Sequence, residues 1–268
     1  MQGAQQTLAS FFPSMCTIAM LLEVVVGAPL VVAANRDEMY ARPTRPPESL
    51  GDGIAGGVDE LSGGTWLAIH RSGRFAAVTN QRALTPPAPG ARSRGLAVRE
   101  LIAADDPDRY VAALDPTQYA SMNLVWGDAR GASIAYLRRD ARREDALDIE
   151  RLSPGIHVLC NDRLGAEGFP RGVRLHDAIA RATASDGWPA IVPALQAALA
   201  DHTREEPVLP TRLPPEIARE LTATCIHAPG YGTRSSTIFA AAPGAVLAYL
   251  HADGPPCTTP FTDRSALL

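Results

Sequence analysis

Residues 15–43 read "MCTIAMLLEVVVGAPLVVAANRDEMYARP", and this stretch sets the architecture of the chain. Two β-prone apolar runs, 17–22 and 30–34, flank a bend that contains Gly27 and Pro29, which is a hairpin signal. If the bend is centred between about residues 25.5 and 27, antiparallel pairing sets Cys16 opposite some residue between Asn35 and Glu38. Opposed residues share one sheet face, with Cβ atoms about 4.5–5.5 Å apart. The spacing therefore brings the cysteine to the polar cluster Asn35-Arg36-Asp37-Glu38 that ends the second run.

A guanidinium beside a thiol favours the thiolate and lowers the thiol pKa from about 8.5. A nearby carboxylate can hold an amine or orient the arginine. Removal of Met15, or cleavage of a leader, would give Cys16 a free α-amine with a pKa of about 7.7–8.0, suited to act as base for its own thiol. The competing reading is a small cysteine used only for packing, beside a solvated strand end. The first 14 residues are uncharged and lack the basic start and long apolar core of a secretory signal. They read as a leader or a mis-assigned start, with Met15 as an equally good beginning.

The 268 residues suffice for a substantial core, and a single layered domain over 15–268 is expected. A net charge of −4 gives no general field for nucleic acid. Four scattered cysteines do not make a disulfide scaffold, and no apolar run reaches the roughly 18–20 residues of a membrane helix. A cytoplasmic location with no integral membrane segment is the expectation.

Along the chain, the Pro- and Gly-rich residues 41–57 read as loop. "GGTWLAIH" and "RFAAVTN" read as strands, followed by a Pro-rich loop and helices at about 95–104 and after Pro107. "SMNLVWGD", "SIAYLRR" and two short runs in "IERLSPGIHVLCND" read as strands. Helical spacing covers about 172–202, interrupted at Pro193, and a Pro-rich link covers 206–216. "TATCIHA", "RSSTIFAAA" and "AVLAYLHA" close the chain as strands. The mixed-charge run 138–151 reads as a solvated turn. Hairpin-type links between most strands favour an antiparallel α+β layered protein over an alternating parallel one.

The segments "MCTIAML…LVVAANRDEMYARP", "GGTWLAI", "AVTNQR", "MNL" and "PGYGTRSSTI" together resemble the NRDE family, also known as the transport-and-Golgi-organisation protein 2 family. The resemblance runs from Met15 to about Ile238. It implies a four-layer αββα sandwich of the N-terminal nucleophile hydrolase type, similar to cysteine amidohydrolases such as the choloylglycine hydrolases. By that likeness Cys16 matches the nucleophile, Arg36 the activating arginine and Asp37 the acid. The amidohydrolases space their Arg and Asp more widely, and adjacent strand residues point to opposite faces, so Glu38 competes with Asp37. Asn80 and Asn161 match the two asparagines whose amides suit an oxyanion, and Arg234 the late arginine. Taken from the residues alone, Asn80 reads as a strand-end turn and Asn161 as an Asn-Asp turn. Glu38, Trp66, Tyr231 and Ser235 are placed as substrate-binding.

Other patterns carry less. "GYGTRSST" has glycines for a tight approach and an arginine with hydroxyls for an anion, or is merely a turn into a strand. "GGTWL" allows a turn, with Trp66 in the core or lining a pocket. Asn123 reads as a satisfied core amide. His157-x-x-Cys160 and Cys225-x-His227 are spaced unlike structural zinc sites, so no metal and no cofactor are expected. The expectation is a cysteine hydrolase acting on a small-molecule amide or acyl substrate. The alternative is a non-catalytic carrier, because the resemblance also implies links to haem, acyl-CoA or lipid handling and to secretory organisation.

Overall fold

The computed structural model describes residues 15–81, 90–139, 146–209, 211 and 213–268. β1 (Met15–Val25) and β2 (Ala28–Met39) form the opening hairpin around Gly27, whose φ of 86° is open to glycine. The register slips by a bulge between Leu22 and Val25, with Glu23 at φ 57°.

Seven strands then follow as one meander: β3 (Thr44–Gly51), β4 (Ile54–Asp59), β5 (Leu67–His70), β6 (Phe75–Asn80), β7 (Met122–Asp128), β8 (Gly131–Arg138) and β9 (Ala146–Arg151). They make a seven-stranded antiparallel sheet in sequence order. The chain returns to the first sheet with β10 (Gly155–Leu159), β11 (His227–Ala228), β12 (Tyr231–Ala242), β13 (Ala245–Ala252) and β14 (Thr262–Asp263). Its order is β10-β1-β2-β12-β13-β14, with β11 on β12, so the opening hairpin lies at the sheet's centre.

That central position explains the unbroken apolar runs. Strands covered on both faces need no polar alternation. Ile18, Met20, Leu30 and Val32 point at Ile69, Phe75, Val125 and Ile134 of the second sheet. Ala19, Leu21, Val31 and Ala33 point the other way, under Leu175, Ile179, Leu195 and Leu199 of helices Pro170–Thr183 and Val192–Leu199. Helices Arg94–Ala103 and Pro107–Ala112 cover the second sheet's outer face through Val98, Leu101 and Val111. Each buried side chain of this size stabilises by about 1.5–3 kcal/mol relative to exposure. The result is the expected α+β sandwich: helices, sheet, sheet, helices. No helix among the described residues is long and apolar enough to cross a membrane.

Several elements differ from expectation. Residues 44–51 and 54–59 are strands despite their prolines and glycines. β3 is an edge strand, and its ladder is irregular between Arg45 and Glu48, where Pro46 and Pro47 cannot donate. Pro193 opens the helix Val192–Leu199 instead of interrupting one, since a first-turn amide has no partner to lose. A short helix, Pro215–Glu220, ends the Pro-rich link. In "TATCIHA" only His227–Ala228 is strand. Residues 82–89, which hold part of the expected Pro-rich loop, residues 1–14 and residues 140–145 of the mixed-charge run lie outside the described residues, while 146–151 is β9.

Candidate functional site

The hairpin register places Cys16 opposite Arg36, and β12 adds Ser235 on Arg36's other side. Cys16, Arg36 and Ser235 therefore form one row across three strands, facing the second sheet. Arg234 takes the extra position of a bulge in β12, which turns it out of this row. Its guanidinium donates to the Tyr40 carbonyl.

The row opens into a cleft of about 230 Å³ lined by Cys16, Arg36, Glu38, Trp66, Asn80 and Arg94 among others. Arg36 is buried, with its Cζ 4.2 Å from the centre of the Trp66 ring and its Nη2 3.9 Å from Glu38 Oε2. Arg42 joins Glu38 at 3.7 Å and Asp59 at 2.6 Å, so charges alternate along the wall. Trp66 is thus both pocket wall and core residue. A roomier depression of about 390 Å³ behind the second sheet, at Trp126 and Arg130, contains no cysteine.

Two glycine contacts build this wall. A Cβ on Gly64 would lie 2.3 Å from the Gly95 carbonyl carbon, so only glycine lets the two backbones meet. This approach, with Thr65 N–H donating to Gly95 O at 3.1 Å, carries Arg94 to the cleft. A Cβ on Gly57 would strike the Trp66 ring at 2.0 Å. In "GGTWL", Gly63 supplies the turn with a φ of 70° and Gly64 the close backbone approach, and no local pattern showed that Arg94 depended on it.

The carboxylates divide by face. Glu38 shares the cleft face with Arg36. The buried Asp37 side chain accepts from Thr233 Oγ1 at 2.6 Å, and its Oδ2 has no hydrogen-bond partner among the described residues. Burial pushes Asp37 up to about 6, against the pull of Arg171, Thr233 and Arg36. Arg171 is a fully buried arginine that sequence reasoning missed. It donates to Asn161 Oδ1 at 2.9 Å and to the Leu221 carbonyl at 3.2 Å. Burial pulls its guanidinium down, but Cys160, Asp37 and Tyr231 more than offset this. One signal was available: Arg171, Leu175 and Ile179 are spaced by four, so the arginine lies in phase with the helix's buried stripe.

The asparagines are connected. Asn161 Nδ2 donates to the Asn80 carbonyl at 2.9 Å while its Oδ1 accepts from Arg171, so Asn161 fixes the residue that lines the cleft. Asn123 is a buried, satisfied amide bonded to Gln81, Thr79 and the Asp162 carbonyl. Tyr231 is fully buried against Ile226 and Ala228, away from the cleft lining. Asn35 donates to the carbonyls of Leu199 and Thr224, both at 2.9 Å, and so joins β2 to the helical layer.

The Cys16 thiol departs from the expected lowering. It is half-buried and pushed up to about 12, chiefly by loss of solvent and by the Asp37 carboxylate. Arg36 and the Asp37 backbone N–H pull the other way without prevailing. The cleft thus holds a neutral thiol beside charged guanidinium groups. Deprotonation of Cys16 needs a base at the moment of attack or another positive charge.

The sequence profile described as Transport and Golgi organisation 2 matches residues 15–246. A Bos taurus protein, "Transport and Golgi organization protein 2 homolog", is 30% identical, covering 89% of this chain and 87% of its own. The Homo sapiens homolog is 29% identical over the same shares. Among solved structures, the Caenorhabditis elegans ortholog of N-acylethanolamine-hydrolyzing acid amidase aligns with a TM-score of 0.50 at 11% identity, over 85% of this chain and 93% of that one. A variant of the conjugated bile acid hydrolase from Clostridium perfringens aligns with a TM-score of 0.51 at 10% identity, over 94% and 93%. These two likenesses concern the fold, which is that of the N-terminal nucleophile hydrolases.

Proposed function

For a chain that belongs to the Transport and Golgi organisation 2 family, we propose an N-terminal-nucleophile cysteine hydrolase that cleaves a linear amide or related acyl bond in a small molecule, within the cytoplasm. The observation that carries this reading is the row Cys16–Arg36 opening into a cleft with Asn80.

In this reading the mature chain begins at Cys16. The new α-amine takes the thiol proton as sulfur bonds to the substrate carbonyl carbon, then passes it to the leaving nitrogen as the C–N bond breaks. Water hydrolyses the thioester and restores the thiol. An α-ammonium beside the sulfur would also lower the thiol pKa, supplying the charge that the intact chain lacks. Asp37 Oδ2, buried without a partner among the described residues, is suited to receive that ammonium, with Glu38 as the competing carboxylate on the cleft face. The Asn80 amide serves the oxyanion, and Asn161 positions it. Arg36 and Arg94 supply positive charge to the carbonyl or to an acidic substrate group. Trp66, Glu38 and Ser235 shape the binding surface, whereas Arg234 and Tyr231 support β12 from outside the cleft lining.

The neutral Cys16 thiol favours a second reading, in which the unprocessed chain holds an acyl-CoA, haem or lipid ligand in the same cleft without turnover. Intact-mass and N-terminal analysis of the purified protein separates the two. A mature N-terminus at Cys16, labelled by an acyl-type probe and not labelled in Cys16→Ala, supports the hydrolase. A chain that keeps residues before Cys16 and co-purifies with ligand overturns it in favour of the carrier.

A further inference from the structure

Away from the cleft, His202, Cys225, His227 and Cys257 bring one ligand atom each to within 4.8 Å of one another. They come from three separate segments. His202 follows helix Val192–Leu199, Cys225 and His227 lead into and begin β11, and Cys257 lies in the loop between β13 and β14. Cys225 is buried, while the two histidines and Cys257 reach the surface. Spacing along the chain hid this set, because only Cys225 and His227 are neighbours.

The distances suit a tetrahedral ion. Zinc with Zn–S near 2.3 Å and Zn–N near 2.0–2.1 Å requires S···S of about 3.8 Å and S···N of about 3.5 Å. The two sulfurs stand 3.8 Å apart, and His227 Nε2 lies 3.7 Å from Cys225 Sγ and 3.3 Å from Cys257 Sγ. His202 has its ring centre 5.0 Å from that of His227. Its Nδ1 lies 3.0 Å from the Cys225 carbonyl, which can only accept, so Nδ1 carries the proton and Nε2 keeps its lone pair. A backbone carbonyl fixing the tautomer of a histidine is the usual outer support of a metal ligand.

We propose that these four residues form a structural zinc site. Two thiolates and two neutral imidazoles complete a closed tetrahedron, and binding releases the two thiol protons to solvent. The site staples the segments that frame β2. Asp201 O accepts from Cys225 N at 2.9 Å, and Asn35 bridges the carbonyls of Leu199 and Thr224. Ile226 N donates to Thr233 Oγ1 at 2.9 Å, and that hydroxyl donates in turn to Asp37. An ion at Cys225 and His227 therefore sets the residue that orients Asp37. The site stands whether or not the cleft is catalytic.

The test is metal analysis of the full chain after chelator dialysis and zinc return, read by elemental and native mass spectrometry. One zinc per chain is expected, with loss of that zinc in Cys257→Ser and in His202→Ala. Cys16→Ser should retain it, which separates this site from the cleft. Cobalt substitution of the unaltered protein should give the visible bands of a tetrahedral ion with thiolate charge-transfer absorption, so the result does not depend on a variant's folding. No metal uptake, metal that survives Cys257→Ser, or a Cys225–Cys257 disulfide in freshly purified protein would each overturn the proposal.

Discussion

Cys16 faces Arg36 directly across the central strand pair, yet the thiol remains protonated because burial and Asp37 outweigh the guanidinium. The pairing brings a nucleophile and a cation together. Their surroundings decide the protonation state.

Arg36→Met should raise the Cys16 thiol pKa further, since it removes the side-chain charge that favours the thiolate. Each unit of rise reduces the thiolate fraction about tenfold at fixed pH. The rate of iodoacetamide alkylation of Cys16, followed by peptide mass spectrometry between pH 7 and 9, reads this. An unchanged rate would show that Arg36 does not govern the thiol.

Asp37 gives a pH signature of defined sign. Its folded pKa of about 6 lies above its ordinary value of 3.8, so the folded state holds the proton more tightly. Stability from this group is greatest below about pH 4 and declines as pH rises through 6, by at most about 3 kcal/mol. Buried His251, pulled down to about 3 by burial and Arg264, tilts overlapping pH values the other way. The difference between wild type and Asp37→Asn isolates the carboxyl. In urea denaturation the variant should gain on wild type as pH rises from 4 to 7, and a constant difference would refute the assignment.

Asn35→Ala should destabilise the fold by about 2–4 kcal/mol, because it leaves the carbonyls of Leu199 and Thr224 without their amide donor. Chemical denaturation measures this directly. A loss below about 0.5 kcal/mol would mean that water or another donor takes over.

Gly57→Ala should displace the Trp66 ring from Arg36, since the new Cβ would sit 2.0 Å from a ring carbon. Overpacking of this kind costs about 1–3 kcal/mol. The cleft should change with it, seen as altered Cys16 alkylation and a weaker response of tryptophan fluorescence to cleft ligands. A variant that keeps both wild-type stability and wild-type alkylation would show that Trp66 has room to spare.

Some of the site was legible in residues 15–38 alone. A two-residue period and a glycine bend confined the partner of Cys16 to four candidates, and Arg36 proved to be that partner. The same periodicity put Glu38 on Arg36's face and Asp37 on the other, as observed. Arg94, by contrast, reaches the cleft because Gly64 and Gly95 touch, and Arg171 acts on Asp37 because its helix packs on β1 and β10, beside β2. Those contacts join residues tens to over a hundred positions apart, which no local pattern encodes.

The sequence by itself determined the central hairpin and confined its register to four pairings, because side-chain alternation and turn chemistry act over a few residues. Only the tertiary structure decided the rest. Desolvation, which keeps the Cys16 thiol protonated, depends on everything packed around it. The four-residue cluster at His202, Cys225, His227 and Cys257 exists only where three distant segments converge. Charge balance and ligand geometry are properties of the assembled layers, and they are fixed when those layers close.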